Sequence, residues 1–187
     1  MQKKNLIKIP KNILVIYNNK KKIITLIGPL QVKSLKLSLN LLIKTGLNSI
    51  EVTDQPFQKK NLNKKQIKSL QGTTAALIKQ MLIETSALIY NKLKIVGVGY
   101  RFLNLEGFND KLLMFKLGYS HSLYYKIPND LKIFNLKSTK LFIYGNSYQN
   151  VSQAASIIRS YKKPEPYKGK GILFDSEKIL LKEGKKV

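Results

Sequence analysis

The sequence predicts an α+β protein with two similar domains, each an antiparallel sheet packed against a helix, and a basic C-terminal extension. Three observations lead to this prediction. A β-hairpin pattern occurs twice in the 187 residues, each occurrence leads to the apolar periodicity of an α-helix, and lysines crowd the segment beyond the second helix. The repeated pattern indicates an internal duplication, which favours two separate hydrophobic cores over a single one.

The two hairpin patterns each run from a proline to a closing glycine over similar lengths. Pro10 to Gly28 is 18 residues, and Pro128 to Gly145 is 17. Within each span, two runs rich in β-branched and aromatic residues flank a lysine-bearing turn, which is typical of a β-hairpin. The runs lie at residues 13–17 and 23–28 in the first copy and at residues 131–134 and 141–145 in the second.

The first domain continues with two further strands and a helix. We expect the strands near residues 35–41 and 49–53. Asn63 and Gln66 have the spacing of a capping box, in which the two residues satisfy free N–H groups at a helix start. Apolar residues and one threonine then recur at helical spacing, which predicts an amphipathic helix with this buried face: Ile67, Leu70, Thr74, Leu77, Ile78, Met81 and Leu82.

The second domain begins with strands at residues 93–105 and 112–117, joined by a hairpin turn at 106–110. Asn146 or Ser147 is expected to cap its helix. The apolar face of that helix consists of Val151, Ala154, Ala155 and Ile158. The helix is expected to end before residue 164, because a proline there cannot continue it.

The G-x-G sequence at Gly97 and Gly99 does not predict a dinucleotide site. A third glycine at the required spacing is missing, and strands do not alternate with helices around it. Glycines inside strands more often mark a bulge or a close approach of two backbone segments, and we expect that role here.

The charge balance indicates a polyanionic partner. The chain has 34 basic and 10 acidic residues, a formal charge of +24. Lysines occur along the whole length, which favours nucleic acid over a membrane surface, since membranes usually recruit a single basic amphipathic helix. Cysteine is absent and His121 is the one histidine. A structural hydrogen-bonding role is expected for His121, and we expect no catalytic residue, metal site or cofactor.

The segment at residues 161–172 is the strongest candidate for the binding site. Pro164 and Pro166 restrict the backbone around them, so we expect an extended strut that cannot fold back on the helix before it. The simpler interpretation is a flexible basic tail in solvent. A close interleaving of prolines, glycines, lysines and an aromatic residue favours a binding element instead.

Lysines and glycines alternate beyond the prolines. In an extended backbone Lys168 and Lys170 point to the same side, and Gly169 and Gly171 between them let main-chain N–H groups approach a large anionic surface. Tyr167 supplies a flat ring for base stacking. This pattern is typical of a contact with folded RNA, where lysines bind phosphates.

Residues 164–172, Pro-Glu-Pro-Tyr-Lys-Gly-Lys-Gly-Ile, resemble at every position the C-terminal motif of the large-subunit ribosomal protein six family of bacteria and organelles. The family usually has an arginine where this chain has Lys162. The resemblance implies two α+β domains that bind large-subunit rRNA near the sarcin-ricin loop and the stalk base, mainly through the second domain and the extension. Similar motifs are found at residues 97–101, 117–121, 153–155, 158–159 and 182–186.

We therefore expect a non-enzymatic constituent of the large ribosomal subunit. Its domains would span residues 1–88 and 89–161, with the basic extension at 162–187. Its partners would be large-subunit rRNA and neighbouring ribosomal proteins near the stalk base, with no membrane and no small-molecule substrate. The expected rRNA-binding residues are Lys162, Lys163, Tyr167, Lys168, Gly169, Lys170, Gly171, Lys182, Lys185 and Lys186.

Two other functions remain open on the sequence alone. A free-standing RNA-binding module outside the ribosome would show the same charge pattern. An RNA-modifying enzyme is a further alternative, but the chain has few acidic residues, one histidine and no recognisable cofactor loop.

Composition also bears on the compartment. Arg101 and Arg159 are the only arginines, and isoleucine and asparagine are abundant, as A/T-rich coding would favour. We expect a mitochondrial ribosome, with a bacterial cytoplasm or a plastid as alternatives. No cleavable presequence is visible, so if the protein is mitochondrial and this sequence is the complete primary product, we expect it to be made inside the organelle.

Overall fold

The computed structural model describes residues 6–44, 48–57, 63–105 and 112–184. The chain divides into two compact units, Met1–Ala87 and Leu88–Val187, and each has its own hydrophobic core. Over the described residues, antiparallel strands and one helix build each unit, so the predicted α+β class is confirmed. The internal duplication and the three boundaries drawn from the sequence stay predictions. In the described ranges, no helix is long and apolar enough to cross a membrane.

The first unit consists, over the described residues, of two three-stranded antiparallel sheets and a helix. The strands are β1 (Leu6–Lys8), β2 (Leu14–Asn18), β3 (Ile23–Ile27), β4 (Val32–Lys36), β5 (Leu39–Lys44) and β6 (Ser49–Pro56). One sheet has the order β1-β6-β5 and the other the order β2-β3-β4. The predicted first hairpin is confirmed as β2 and β3, with Leu14 opposite Ile27.

The run at residues 35–41, predicted as one strand, belongs to two strands in different sheets. The chain bends at Leu37, whose backbone N–H donates to the Lys22 carbonyl at 2.8 Å. Leu37 and Leu39 are both buried, so the bend lets both sheets contribute side chains to one core. The single-strand prediction is wrong because apolar spacing does not reveal where a strand changes sheets.

Helix α1 (Lys64–Ser86) covers this core. Its start is as predicted, and the Asn63 backbone N–H donates to the Gln66 side-chain oxygen at 3.0 Å, which is one half of the capping box. Leu77, predicted to be buried, is 40% exposed. The buried face is instead Thr74, Ala75, Ile78, Met81, Leu82, Glu84 and Thr85.

The described strands of the second unit are β7 (Ile89–Val96), β8 (Arg101–Asn104), β9 (Leu112–Lys116), β10 (Leu123–Lys126), β11 (Leu131–Lys137), β12 (Lys140–Gly145) and β13 (Gly171–Phe174). They form a four-stranded antiparallel sheet of order β11-β12-β7-β13 and a three-stranded sheet of order β10-β9-β8. The predicted second hairpin is confirmed as β11 and β12. The turn predicted at 106–110 lies outside the described residues.

Helix α2 (Tyr148–Ser160) packs on the four-stranded sheet with the predicted face. Its buried residues are Val151, Ala154, Ala155 and Ile158. The two alanines in mid-helix are small, so the helix can lie close to the strands. The helix begins after Ser147 and ends before Pro164, as expected.

The run at residues 93–105 also divides between two sheets. Gly97 has a φ of +150°, and a Cβ there would lie 2.5 Å from the Tyr100 ring. Gly118 meets the same ring from another segment, where a Cβ would lie 2.8 Å from it. Gly97 therefore marks a close approach, in this case between backbone and the ring of Tyr100, whereas Gly99 has open space around it. Gly97 and Gly99 both lie in the turn between β7 and β8 and not inside a strand, so the prediction holds for Gly97 alone.

Candidate nucleic-acid interface

The candidate site is the basic loop, defined as residues 162–172, which connects α2 to β13. Three backbone hydrogen bonds close it. The Ile172 N–H donates to the Lys162 carbonyl at 2.8 Å, the Glu165 N–H to Lys170 at 2.9 Å, and the Gly169 N–H to Glu165 at 2.9 Å. The prediction of a strut that cannot fold back is therefore wrong. The prolines restrict one arm of the loop, and the chain then turns at residues 166–168.

Two glycines make this closure possible. Gly169 has a φ of +67°, in the left-handed region that side chains disfavour. Gly171 has a φ of +147°, and a Cβ there would lie 2.7 Å from Pro164 Cα and 2.8 Å from the Lys163 carbonyl oxygen. The two arms thus pack backbone against backbone. The glycines are needed for the shape of the loop, and their approach to RNA stays a prediction.

The far end of the basic loop is part of the core of the second unit. Strand β13 pairs with β7, with Gly171 opposite Val96 and Phe174 opposite Leu93. Ile172 and Leu173 are buried. Part of the segment predicted as an extension is therefore a strand of this unit, which holds the loop on a rigid base.

Arg159 joins the last turn of α2 to the chain after β13. Its Nε donates to Glu177 Oε2 at 2.9 Å, and its Nη2 donates to Oε1. Hydrogen bonding to Arg159 holds the pKa of the Glu177 carboxyl below its ordinary value, and the same bonds raise the pKa of Arg159. Further on, the Lys182 backbone N–H donates to the Pro166 carbonyl at 2.9 Å. Residues 175–182 are thus attached to the helix end and to the basic loop.

An aromatic residue positions the first lysine of the basic loop. The Lys162 Nζ lies 4.1 Å from the centroid of the Tyr119 ring, a cation–π contact. The Tyr119 hydroxyl donates to the Tyr161 carbonyl at 3.1 Å. His121 is exposed and its ring stacks on Tyr119 at 5.9 Å. The hydrogen-bonding role expected for His121 stays a prediction.

Tyr161 links the loop to the core beneath it. Its ring meets Phe115 edge-on, with 5.7 Å between centroids. Burial raises the pKa of the Tyr161 hydroxyl, and burial together with nearby Tyr161 raises the pKa of Tyr125.

The structure brings most of the predicted binding residues together. Gly169 and Gly171 shape the basic loop, and Lys185 and Lys186 lie outside the described residues. Tyr167 is 54% exposed. In the same loop, Lys163 and Lys168 are exposed and Lys162 and Lys170 are half-buried, and the exposed Lys182 is attached to the loop at Pro166.

Sequence reasoning did not assign Tyr119, Arg159 and Glu177, which position this cluster without being part of its cationic surface. Two signals were available: Arg159 is one of only two arginines in a lysine-rich chain, and Tyr119 and Arg159 lie in the motifs at residues 117–121 and 158–159. A bidentate pair with a carboxylate requires the planar guanidinium fork.

The arrangement suits phosphate contacts. Lysine ammonium groups act as point charges that position a nucleic-acid backbone, and the exposed Tyr167 ring can stack on a base. Within the described ranges, no group of three or more metal-ligating side chains could hold a metal ion.

Comparison with known proteins identifies similar sequences over the same region. A profile of the family described as ribosomal protein L6 matches residues 96–175, which include the basic loop. Large ribosomal subunit protein uL6 of Mycoplasma genitalium is 41% identical over 165 residues, covering 87% of this chain and 84% of the relative. The protein of that name from Mycoplasmoides gallisepticum is 39% identical over 181 residues, covering 96% and 92%. That of Rhodopseudomonas palustris is 46% identical over 119 residues, covering 64% and 65%.

Proposed function

Because the chain belongs to the ribosomal protein L6 family, we propose that it is a non-enzymatic constituent of the large ribosomal subunit that binds large-subunit rRNA through the basic loop. The relatives are named as large-subunit proteins, and the sequence similarity covers most of their length. The family resemblance supports a finer placement near the sarcin-ricin loop and the stalk base, beside neighbouring ribosomal proteins.

The observation that carries the proposal is the closed shape of the basic loop. The exposed Lys163 and Lys168 lie on a backbone segment that is fixed by its own hydrogen bonds and by the pairing of β13 with β7. A preformed loop loses little conformational freedom on binding, so more of its electrostatic attraction appears as affinity. Each phosphate neutralised by a lysine also releases counterions, which makes the binding depend on salt.

The relatives support only one of the compartments expected from the sequence. The relatives compared are bacterial, which is consistent with a bacterial cytoplasm and gives no support to the mitochondrial placement. Ribosome association is proposed for either compartment.

Removal of two lysine charges gives the sharpest test of RNA binding by the basic loop. Lys168→Ala combined with Lys170→Ala should weaken binding to an rRNA fragment of the large subunit. It should also make the slope of log affinity against log salt shallower by about one to two units, at about 0.7 to 0.9 per phosphate. Lys20→Ala with Lys21→Ala is the matched control, because it removes the same charge from an exposed turn of the first unit. The proposal for the loop fails if both double variants behave alike at every salt concentration.

Sedimentation separates the ribosomal function from its alternative. The native chain should migrate with the large subunit in a gradient of cell extract. A free-standing RNA-binding module would remain in the light fractions even where the salt-dependent binding to the rRNA fragment is present.

A further inference from the structure

Four aromatic rings lie together on the outer face of the four-stranded sheet in the second unit. We name this group, Phe134, Phe142, Tyr144 and Tyr90, the aromatic ladder. The rings of Phe134 and Tyr144 stack at 5.4 Å with planes 5° apart, and those of Tyr90 and Phe142 stack at 5.1 Å with planes 23° apart. Phe142 and Tyr144 are 6.0 Å apart and join the two pairs.

The strand register explains why the rings meet. Phe134 is opposite Phe142 across β11 and β12, and Tyr144 is opposite Tyr90 across β12 and β7. Leu141 and Ile143 alternate with Phe142 and Tyr144 along β12 and are buried in the core. The aromatic ladder therefore lies on the face of the sheet that does not contact the core.

The ladder is open to solvent at both ends. Phe134 is 57% exposed and Tyr90 is 55% exposed. The outer face of an antiparallel sheet usually carries polar residues, so rings at this exposure need a reason beyond packing. Cross-strand aromatic pairs stabilise a sheet, but branched aliphatic residues would serve on this face as well.

The three strands that carry the ladder are basic, although the carboxylate of Asp175 lines the hollow beside Tyr90. The Lys92 Nζ lies 5.6 Å from the Tyr90 centroid and 5.9 Å from that of Phe142. Lys132, exposed, is opposite Tyr144. Strands β7, β11 and β12 contain no acidic residue. The complementary partner is therefore a polyanion that also has flat apolar surfaces.

We propose that the aromatic ladder stacks unpaired bases of RNA while Lys92 and Lys132 contact the phosphates beside them. A sheet with exposed rings is a known platform for unpaired bases, because every base has a face that stacks on an aromatic side chain. A hollow adjoins the ladder at Tyr90, and its amide and hydroxyl groups could bind base edges. Its lining consists of Tyr90, Asn91, Lys92, Phe174, Asp175 and Ser176.

This site is separate from the basic loop and does not depend on the proposed function. Bases that are paired in a duplex cannot stack on the ladder, whereas the lysines of the basic loop can contact the phosphates of either form. The two sites therefore differ in the RNA they prefer and in how their binding responds to salt.

The test compares a short oligouridylate with a fully paired RNA hairpin, using the full chain. Phe134→Leu and Tyr90→Leu should each lower the oligouridylate affinity by about fivefold or more, with the salt slope and the hairpin affinity unchanged. Tyr124→Leu is the matched control, because Tyr124 is also 55% exposed but lies in the other sheet of the unit. Thermal unfolding confirms that each variant is folded.

Photo-cross-linking of the unaltered chain provides a second measurement. An oligonucleotide containing 4-thiouridine should cross-link to peptides that include Tyr90, Phe134 or Tyr144. The proposal is overturned if the ladder variants bind the oligouridylate like the parent, if they lose hairpin affinity to the same extent, or if cross-links fall only in the basic loop. A folded ladder variant with full RNA affinity would assign this face to contacts with protein.

Discussion

Replacing Gly171 by alanine should destabilise the second unit and open the basic loop. The added Cβ would lie 2.7 Å from Pro164 Cα, 2.8 Å from the Lys163 carbonyl oxygen and 2.9 Å from that of Lys162. These are backbone atoms, which cannot move aside as a side chain can. The φ of +147° adds a conformational cost of about 1 to 3 kcal/mol, and the overpacking adds about 1 to 3 kcal/mol.

The sum is about 2 to 6 kcal/mol, which for a domain of this size lowers the midpoint of thermal unfolding by at least about 8 °C. Hydrogen exchange measured by mass spectrometry locates the effect. Peptides that cover β7 and β13 should lose protection, while peptides from the first unit should not change. The affinity for the rRNA fragment should fall as well, because the arms of the loop no longer close.

Two control substitutions separate the conformational cost of Gly171→Ala from its overpacking cost. Gly99 has a φ of +74° with open space around it, so Gly99→Ala should cost only the conformational part, about 1 to 2 kcal/mol. Gly184 has open space and no such dihedral, so Gly184→Ala should be nearly neutral. If Gly171→Ala proved as stable as Gly184→Ala, the backbone-to-backbone packing inferred for the loop would be refuted.

Three further predictions concern stability. Gly72→Ala in α1 should stabilise the first unit by about 1 kcal/mol in urea unfolding, since a Cβ there meets no other atom; destabilisation would contradict this. Glu177 has a lowered pKa, so its contribution is present above its ordinary pKa of 4.5 and is lost as the pH falls through the folded value. Arg159→Met should therefore destabilise the chain at neutral pH and have less effect in acid; an equal effect at both would exclude the ion pair as the cause. Residues 88–187 alone should unfold cooperatively by calorimetry, and a broad transition without a heat peak would argue against an independent unit.

Local sequence patterns predicted those parts of the fold that depend on local interactions. The predicted buried face of α2 was correct because Val151 and Ile158 are two helical turns apart within a single element. The two hairpins were correct because each closes over a short turn. The division of each unit into two sheets was missed, since it depends on pairings between distant segments, such as Leu6 with Glu51.

The sequence singled out the segment of the candidate site but predicted the wrong shape for it, and its role in binding stays a prediction. Prolines and glycines identified the segment, yet the same residues that favour an extended arm also permit a tight return. The backbone hydrogen bonds that close the loop, such as that from the Gly169 N–H to the Glu165 carbonyl, decide between the two shapes. The contact of Lys162 with Tyr119 joins two distant motifs and has no local signal. The aromatic ladder was missed because alternating apolar residues such as Phe142 and Ile143 do not show which of them faces solvent.

The position of β13 in the chain has a consequence for synthesis of the protein. Strand β7 is made first in the second unit, and one of its two edges stays unpaired until Gly171–Phe174 have left the ribosome that makes them. An unpaired edge invites pairing with other chains, so a product that stops before Gly171 should aggregate. Pairing of β13 with β7 also closes the basic loop. A nascent chain thus gains its protected edge and its closed basic loop in the same step.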